Sequence, residues 1–360
     1  DEEDEEIDPT PVDLAWATFG VHEDSVFTTQ MFVGADGKIL LASGGGDDAA
    51  FLLDVGNGEV VPEGGEFFKF EGHSDSVAEV SFSADGKYLA TAGLDAIIKI
   101  WNVSDGTLLH TLDGPSESIE SVQWHSKGPV ILAGCGDGTT WMWDASPKAG
   151  TSLNVFGGHA GAVNAAKFTP DGSKVVTIGE DGSLRVWGPK TGKSLAVISG
   201  HPFHEAGINC LQISLDSTMA LTGGQDNVAC ISNLVTGKVK LTLKGHDDGV
   251  EDVAWVQGNP WAVTGSLDSK IGIWDLNTGN NRQMIENGAA GITSVQCIGN
   301  TIFTSDTAGY IRLWDVRSSN LIQTIRASSE TILAFDVLAD KKLIATAGDD
   351  TLIKLYQIQS

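Results

Sequence analysis

Basic side chains are scarce in this chain. Lysine and arginine number 22 against 48 aspartates and glutamates, a formal net charge of −26. That imbalance disfavours nucleic acid and anionic membrane as partners and favours something basic. Residues 1–8 hold seven of the acids, yet residues 9–360 still carry −19 (22 basic, 41 acidic), so the body itself is acidic. Cysteine is rare too. Cys135, Cys210, Cys230 and Cys297 lie far apart, which excludes metal-ligand spacing and a dense disulfide framework. They read as small buried hydrophobes in a reducing compartment. No apolar run nears the roughly 20 residues a membrane helix needs. The first segment is acidic, unlike a basic-plus-apolar leader.

What the chain has in abundance is repetition. One unit of roughly forty residues recurs eight times. Its clearest copy opens at Gly72-His73, passes Thr91 and Asp95, and closes at Trp101-Asn102. Related copies open at Gly158-His159, Gly200-His201 and Gly245-His246, and weaker ones near His22, Pro115, Ala289 and Ser328. A Gly-His opening and a Trp-Asp-like close at this period resemble the WD repeat of β-propellers. Within a unit the apolar pattern has period two with turns every few residues, which predicts short antiparallel strands. In the second unit these fall at 77–82, 88–92, 97–103 and 108–112. The expected fold is all-β: an eight-bladed WD40 propeller over residues 11–360, preceded by an acidic disordered tail at 1–10. The eight Trp-Asp-like closes include Trp187-Gly188, Ser232-Asn233 and Tyr356-Gln357. The chain stops just after the last, so the eighth blade lacks an outer strand. Residues 13–19 are predicted to supply it and close the ring.

Four polar residues recur at fixed places. His73, Thr91, Asp95 and Trp101 return as His159, Thr177, Asp181 and Trp187, and as His246, Thr264, Asp268 and Trp274. By resemblance to WD repeats they form a buried hydrogen-bonded relay, in which Asp fixes the imidazole tautomer. A partial copy is read at His201, Thr222 and Asp226. A catalytic triad needs one exposed, unique copy with an oxyanion hole. A set repeated in blade after blade is scaffold. The chain also has no phosphate loop and no metal spacing; no enzyme, cofactor or metal is expected.

Propellers of this kind bind partners at loops on one face. The rim positions are the residues flanking the first inner-strand Val or Ile, and the residue before the turn Asp. Glu120, Glu180, Glu251 and Asp349 occupy such positions, and none of the twenty-four holds Lys or Arg. Glu79 and Asp252 lie one residue further along, Asp306 sits just ahead of a degenerate turn, and Phe27 adds apolar contact. Gly207, Gly249 and Gly291 would leave room for a peptide backbone. A funnel of carboxylates would capture Lys and Arg of an extended peptide.

The stretch Val122-Gln123-Trp124-His125, followed by Gly128-Pro129 and by Trp141-Met142-Trp143, resembles the third repeat of the angio-associated migratory cell protein family. The opening at His22 and the acidic start fit the same family. That family includes a WD-repeat chaperone dedicated to the large-subunit ribosomal protein L-ten. The resemblance implies a cytoplasmic chaperone, possible in the nucleus as well, that holds the basic N-terminal segment of a new ribosomal protein until assembly. It implies no direct nucleic acid, no membrane and a monomer. The competing reading is a general WD40 scaffold or adaptor in signalling, trafficking or a ubiquitin ligase, because fold does not fix function.

Overall fold

The computed structural model describes residues 15–56 and 67–358. These form eight four-stranded antiparallel sheets arranged as a propeller, as the repeat count predicts. The second blade comprises Val77–Phe82, Tyr88–Gly93, Ile98–Asn102 and Leu108–Leu112, running from the channel outward. Its third strand is shorter than expected because Ile97 and Val103 belong to the adjoining turns, where Gly93 N–H donates to Ile97 and Val103 N–H to Lys87.

Burial follows from the wedge shape of the ring. The second strand of the eighth blade, Leu343–Gly348, is buried throughout. Outer strands such as Thr151–Gly157 are largely exposed. Middle strands are covered by a neighbouring blade on both sides, so their residues are apolar at consecutive positions. Among the described residues the core divides into eight apolar clusters, one at each junction between blades. At the junction of the first and second blades Leu52, Phe70, Val77, Leu89 and Trp101 pack together. At that of the eighth and first, Val26, Leu41, Ala345 and Leu355 do so.

Ring closure is made by strand pairing between the two ends of the chain. Ala17–Phe19 pairs antiparallel with Ile353–Gln357 as the outer strand of the last sheet, with Thr18 opposite Lys354. The first and last strands thus share one blade, and opening the ring requires breaking a sheet. The predicted acidic tail, and residues 13–14 of the predicted strand, lie outside the described residues.

The channel poses a second problem. Each innermost strand pairs on one side alone, so its other edge presents unpaired backbone groups. At every junction a side chain from one inner strand bonds the backbone of the next. Gln30 accepts from Phe82 N–H, Glu79 from Val122, Gln123 from Phe168, Asp252 from Val295, and Asp336 from Met31. Asn164 donates to the Ile208 carbonyl, Asn209 to Val250, and Thr293 to Ile332. All run in one rotational sense, and Asp336 completes the circle.

At that seam Asp336→Ala should leave the Met31 N–H unpaired and lower unfolding free energy by about 1–3 kcal/mol. Asp336→Asn keeps an acceptor, and burial already raises the Asp336 pKa, so this variant should lose far less. Urea midpoints for the two variants would check it; equal losses would refute the role of the acceptor.

Candidate functional site

The polar repeat residues assemble as continuous hydrogen-bond chains. His73 Nδ1 lies 3.1 Å from Asp95, its Nε2 lies 2.9 Å from Thr91 Oγ1, and Trp101 donates to Thr91 at 3.0 Å. His159, Asp181, Thr177 and Trp187 repeat the arrangement, as do His246, Asp268, Thr264 and Trp274. With the Asp holding the Nδ1 proton, Nε2 accepts from the threonine hydroxyl. Burial lowers the pKa of His73 and His159, more than their aspartates raise it. Burial would raise Asp181, but bonds from His159, Ser183 and the Ala160 N–H outweigh it and hold the carboxyl at about 2. All three threonines are fully buried, which leaves no hydroxyl for a substrate.

In the fifth blade the histidine is His204, not His201. His204 bonds Asp226 at 2.9 Å and Thr222 at 2.8 Å, while His201 is exposed. Three extra residues follow Gly200-His201, and the spacing of 18 to Thr and 22 to Asp, shared with His73, identifies His204. The first blade holds a variant that the sequence reading missed. His22 bonds Ser43 and Asp47 at spacings of 21 and 25, a loop three residues longer.

The rim is built by β-bulges. In seven blades the ladder shifts immediately after the first inner-strand residue, for example between Val77 and Glu79 and between Val250 and Asp252. The skipped residue is the rim position: Phe27, Glu120 and Glu251 are such bulge residues. A bulge re-aims a side chain away from the sheet. Glu120 is exposed and accepts from Ser118 Oγ; Phe27 is half-buried; Asp349 is exposed, its N–H donating to Thr331. Glu180 and Glu251 are the best-held carboxylates. Asn164 donates to Glu180 at 2.8 Å, Gln225 lies 3.4 Å from it, and Asn209 donates to Glu251 at 2.9 Å. The amides of Asn164 and Asn209 also grip the next blade's backbone, so both carboxylates are fixed to the channel belt. Burial and the charge of Asp248 raise the Glu251 pKa. A neighbouring cation would relieve that cost.

Three expected rim acids lie elsewhere. Glu79 and Asp252 follow the bulge residue and so return to the ladder, where they join the channel belt. Glu79 accepts from Val122 N–H at 2.7 Å, and Asp252 from Val295 N–H and Ser294 Oγ at 2.8 Å. Asp306 is fully buried. With Ala308 at the turn position, Asp306 itself accepts from the Ala308 and Tyr310 N–H groups and pairs with Arg312. Beside it, Asn287 stands where other blades carry His, accepting from Thr304 at 2.9 Å. The three rim glycines are likewise filled from within. A Cβ at Gly207 would meet Glu180 at 2.7 Å, one at Gly249 would meet Glu251 at 3.1 Å, and one at Gly291 would meet Leu267 at 3.0 Å.

Cations near the turns of this face are bound within their own repeats. Lys270 pairs with Asp247, Arg185 approaches Asp181, and Lys354 pairs with Asp350. Among the described residues no cluster of three or more His, Cys, Asp or Glu could hold a metal. No helix there is long and apolar enough to cross a membrane.

The profile described as the IFT122 first beta-propeller matches residues 77–357, from the second blade to the end of the eighth. The chain belongs to that family. Its relatives include human angio-associated migratory cell protein, 29% identical over 95% of this chain and 80% of that protein. The resemblance read from Val122 to Trp143 therefore extends along nearly the whole sequence. An uncharacterised WD-repeat protein of Schizosaccharomyces pombe is 28% identical over 99% of this chain and 90% of its own length. Among solved structures, Saccharomyces cerevisiae Sqt1 superposes with a TM-score of 0.87 at 18% identity, covering 97% of this chain and all of that one. Chaetomium thermophilum Sqt1 bound to the N-terminus of the ribosomal protein L10 superposes with a TM-score of 0.85 at 20% identity, covering 96% and 100%. At these identities the superpositions establish a shared fold.

Glu79 yields a pH prediction. Burial raises its carboxyl to about 7, against a smaller opposing effect of the Val122 N–H and Lys167. A folded pKa above the unfolded one gives stability that is present below pH about 4.5 and lost as pH rises towards 7. Glu79→Gln keeps an acceptor without that loss. Its unfolding midpoint relative to the parent should therefore rise between pH 5 and pH 8. A pH-independent difference would refute the assignment.

Proposed function

We propose that this chain is a non-catalytic binding protein whose acidic face captures the basic N-terminal segment of a newly made large-subunit ribosomal protein, of the L10 class, and delivers it for ribosome assembly. The observation that carries this reading is the pair Glu180 and Glu251. Their oxygens are fixed by Asn164, Gln225 and Asn209 on a rim whose key positions hold no basic side chain. Acceptors held in place before binding lose little entropy when a guanidinium arrives, and Arg engages a carboxylate through two parallel bonds. Glu120 and Asp349 extend the negative rim to the third and eighth blades, and Phe27 offers an apolar contact between cationic residues. The Chaetomium thermophilum protein of the same fold carries a ribosomal-protein N-terminus, which suits the same chemistry. The reading makes the chain a cytoplasmic monomer that shields a cationic segment from RNA.

Glu120→Lys combined with Glu251→Lys should weaken binding of a synthetic basic N-terminal L10 peptide by at least about tenfold, since each exposed pair contributes up to about 1 kcal/mol and reversal adds repulsion. Parent affinity should fall steeply from low to high ionic strength. Fluorescence anisotropy measures both. Undiminished binding by a folded double variant, or salt-independent affinity, would overturn the proposal.

A further inference from the structure

The acids are not spread evenly, and the gap is as informative as the rim. Residues 182–204 and 227–246 contain no Asp or Glu. These stretches form the third and outer strands of the fourth and fifth blades, with their connecting turns. Their repeat closes also lack an acid where four other blades have Asp: Gly188 and Asn233 stand in place of Asp54, Asp144, Asp275 and Asp315, as Asn102 and Gln357 do in the second and eighth blades. Lysines take over the neighbouring turns and strands. Lys190, Lys193, Lys238 and Lys240 are exposed, and none pairs with a carboxylate among the described residues. In a chain of net charge −26, a flank of unpaired cations is a local reversal of sign.

The same flank is apolar between the charges. Leu195 is 56% exposed and Val197 48% exposed, on one strand, two residues apart. Beside them a groove of about 340 Å³ opens between the two blades, lined by Val197, Pro202, Phe203, Lys238 and Val239. A Cβ placed at Gly237, which also lines the groove, would meet Ala196 at 3.1 Å. Both outer strands, Ser194–Ile198 and Lys238–Lys244, pair on one side alone and so present a free backbone edge.

We propose that this flank is a second docking surface, for an extended acidic segment of a partner protein that carries aliphatic side chains. The lysines would pair with its carboxylates, the groove would take an aliphatic side chain, and a strand edge would take its backbone. Charge complementarity selects an anion. Exposed leucine and valine, with no exposed Phe, Tyr or Trp among the groove's lining residues and His201 the one exposed ring there, favour a polypeptide over single-stranded nucleic acid. The surface is separate from the acidic face and has the opposite preference.

The test uses the full chain and a fluorescent short peptide alternating glutamate and leucine, with an all-glutamate peptide and oligouridylate as comparisons. The alternating peptide should bind, and more tightly than either comparison. Lys193→Glu with Lys238→Glu and Lys240→Glu should weaken it at least about tenfold, from three exposed pairs lost and reversed. Glu120→Lys with Glu251→Lys should leave this binding intact, which separates its failure from failure of the face. No binding of the alternating peptide would overturn the proposal, the lysines then only guarding a strand edge. Equal binding by the triple variant, or tighter binding of oligouridylate, would overturn it too.

Discussion

The rest of this molecule depends on how eight inner strands are satisfied around a channel they cannot fill. Each inner strand has one free edge, and unpaired buried backbone is costly. The chain meets that need with a head-to-tail belt from Gln30 around to Asp336, each side chain bonding the next blade. Apolar clusters fill the junctions behind the belt, and the Ala17–Phe19 strand fixes the ends together. The same Asn164 and Asn209 that stitch blades also steady Glu180 and Glu251. The acidic rim and the scaffold are therefore one hydrogen-bond system.

Acidity alone says little about what an acid does here. Relay aspartates such as Asp181 are held ionised by their bonds and brace a turn. Channel carboxylates such as Glu79, Asp252 and Asp336 are pushed upward by burial and accept backbone N–H groups. Rim carboxylates keep an exposed face. Under the proposed function a partner meets mainly the third group, and the flank of the fourth and fifth blades reverses the sign of the exposed charge. If both proposals hold, the two regions of opposite charge would engage a cationic chain end and an anionic segment at once.

Much of this was legible in the sequence because the unit repeats. Blade number, the strands of the second blade and the closing strand near residue 17 all follow from spacing and period two. His204 was misread as His201 because the Gly-His pair is a local signal, whereas the relay depends on its distance to Thr222 and Asp226. Glu79 and Asp252 were misplaced by one residue, and one residue past a bulge changes which neighbour a side chain meets. Asp306 could not be found from its own repeat. It substitutes in space for the acid that Ala308 lacks, and only its contact with Arg312 reveals this.

The central claim is that a cationic peptide lies on the bulge-built face. Hydrogen–deuterium exchange with and without the basic N-terminal peptide of ribosomal protein L10 tests it most directly. The account predicts slowed exchange in the segments around Ser118–Glu120, Gly179–Glu180, Gly207–Asn209 and Gly249–Glu251 that form the rim, with the turns at Ser83–Lys87 and Ser214–Thr218 unchanged. Protection confined to those latter turns, with the rim exchanging as before, would contradict it.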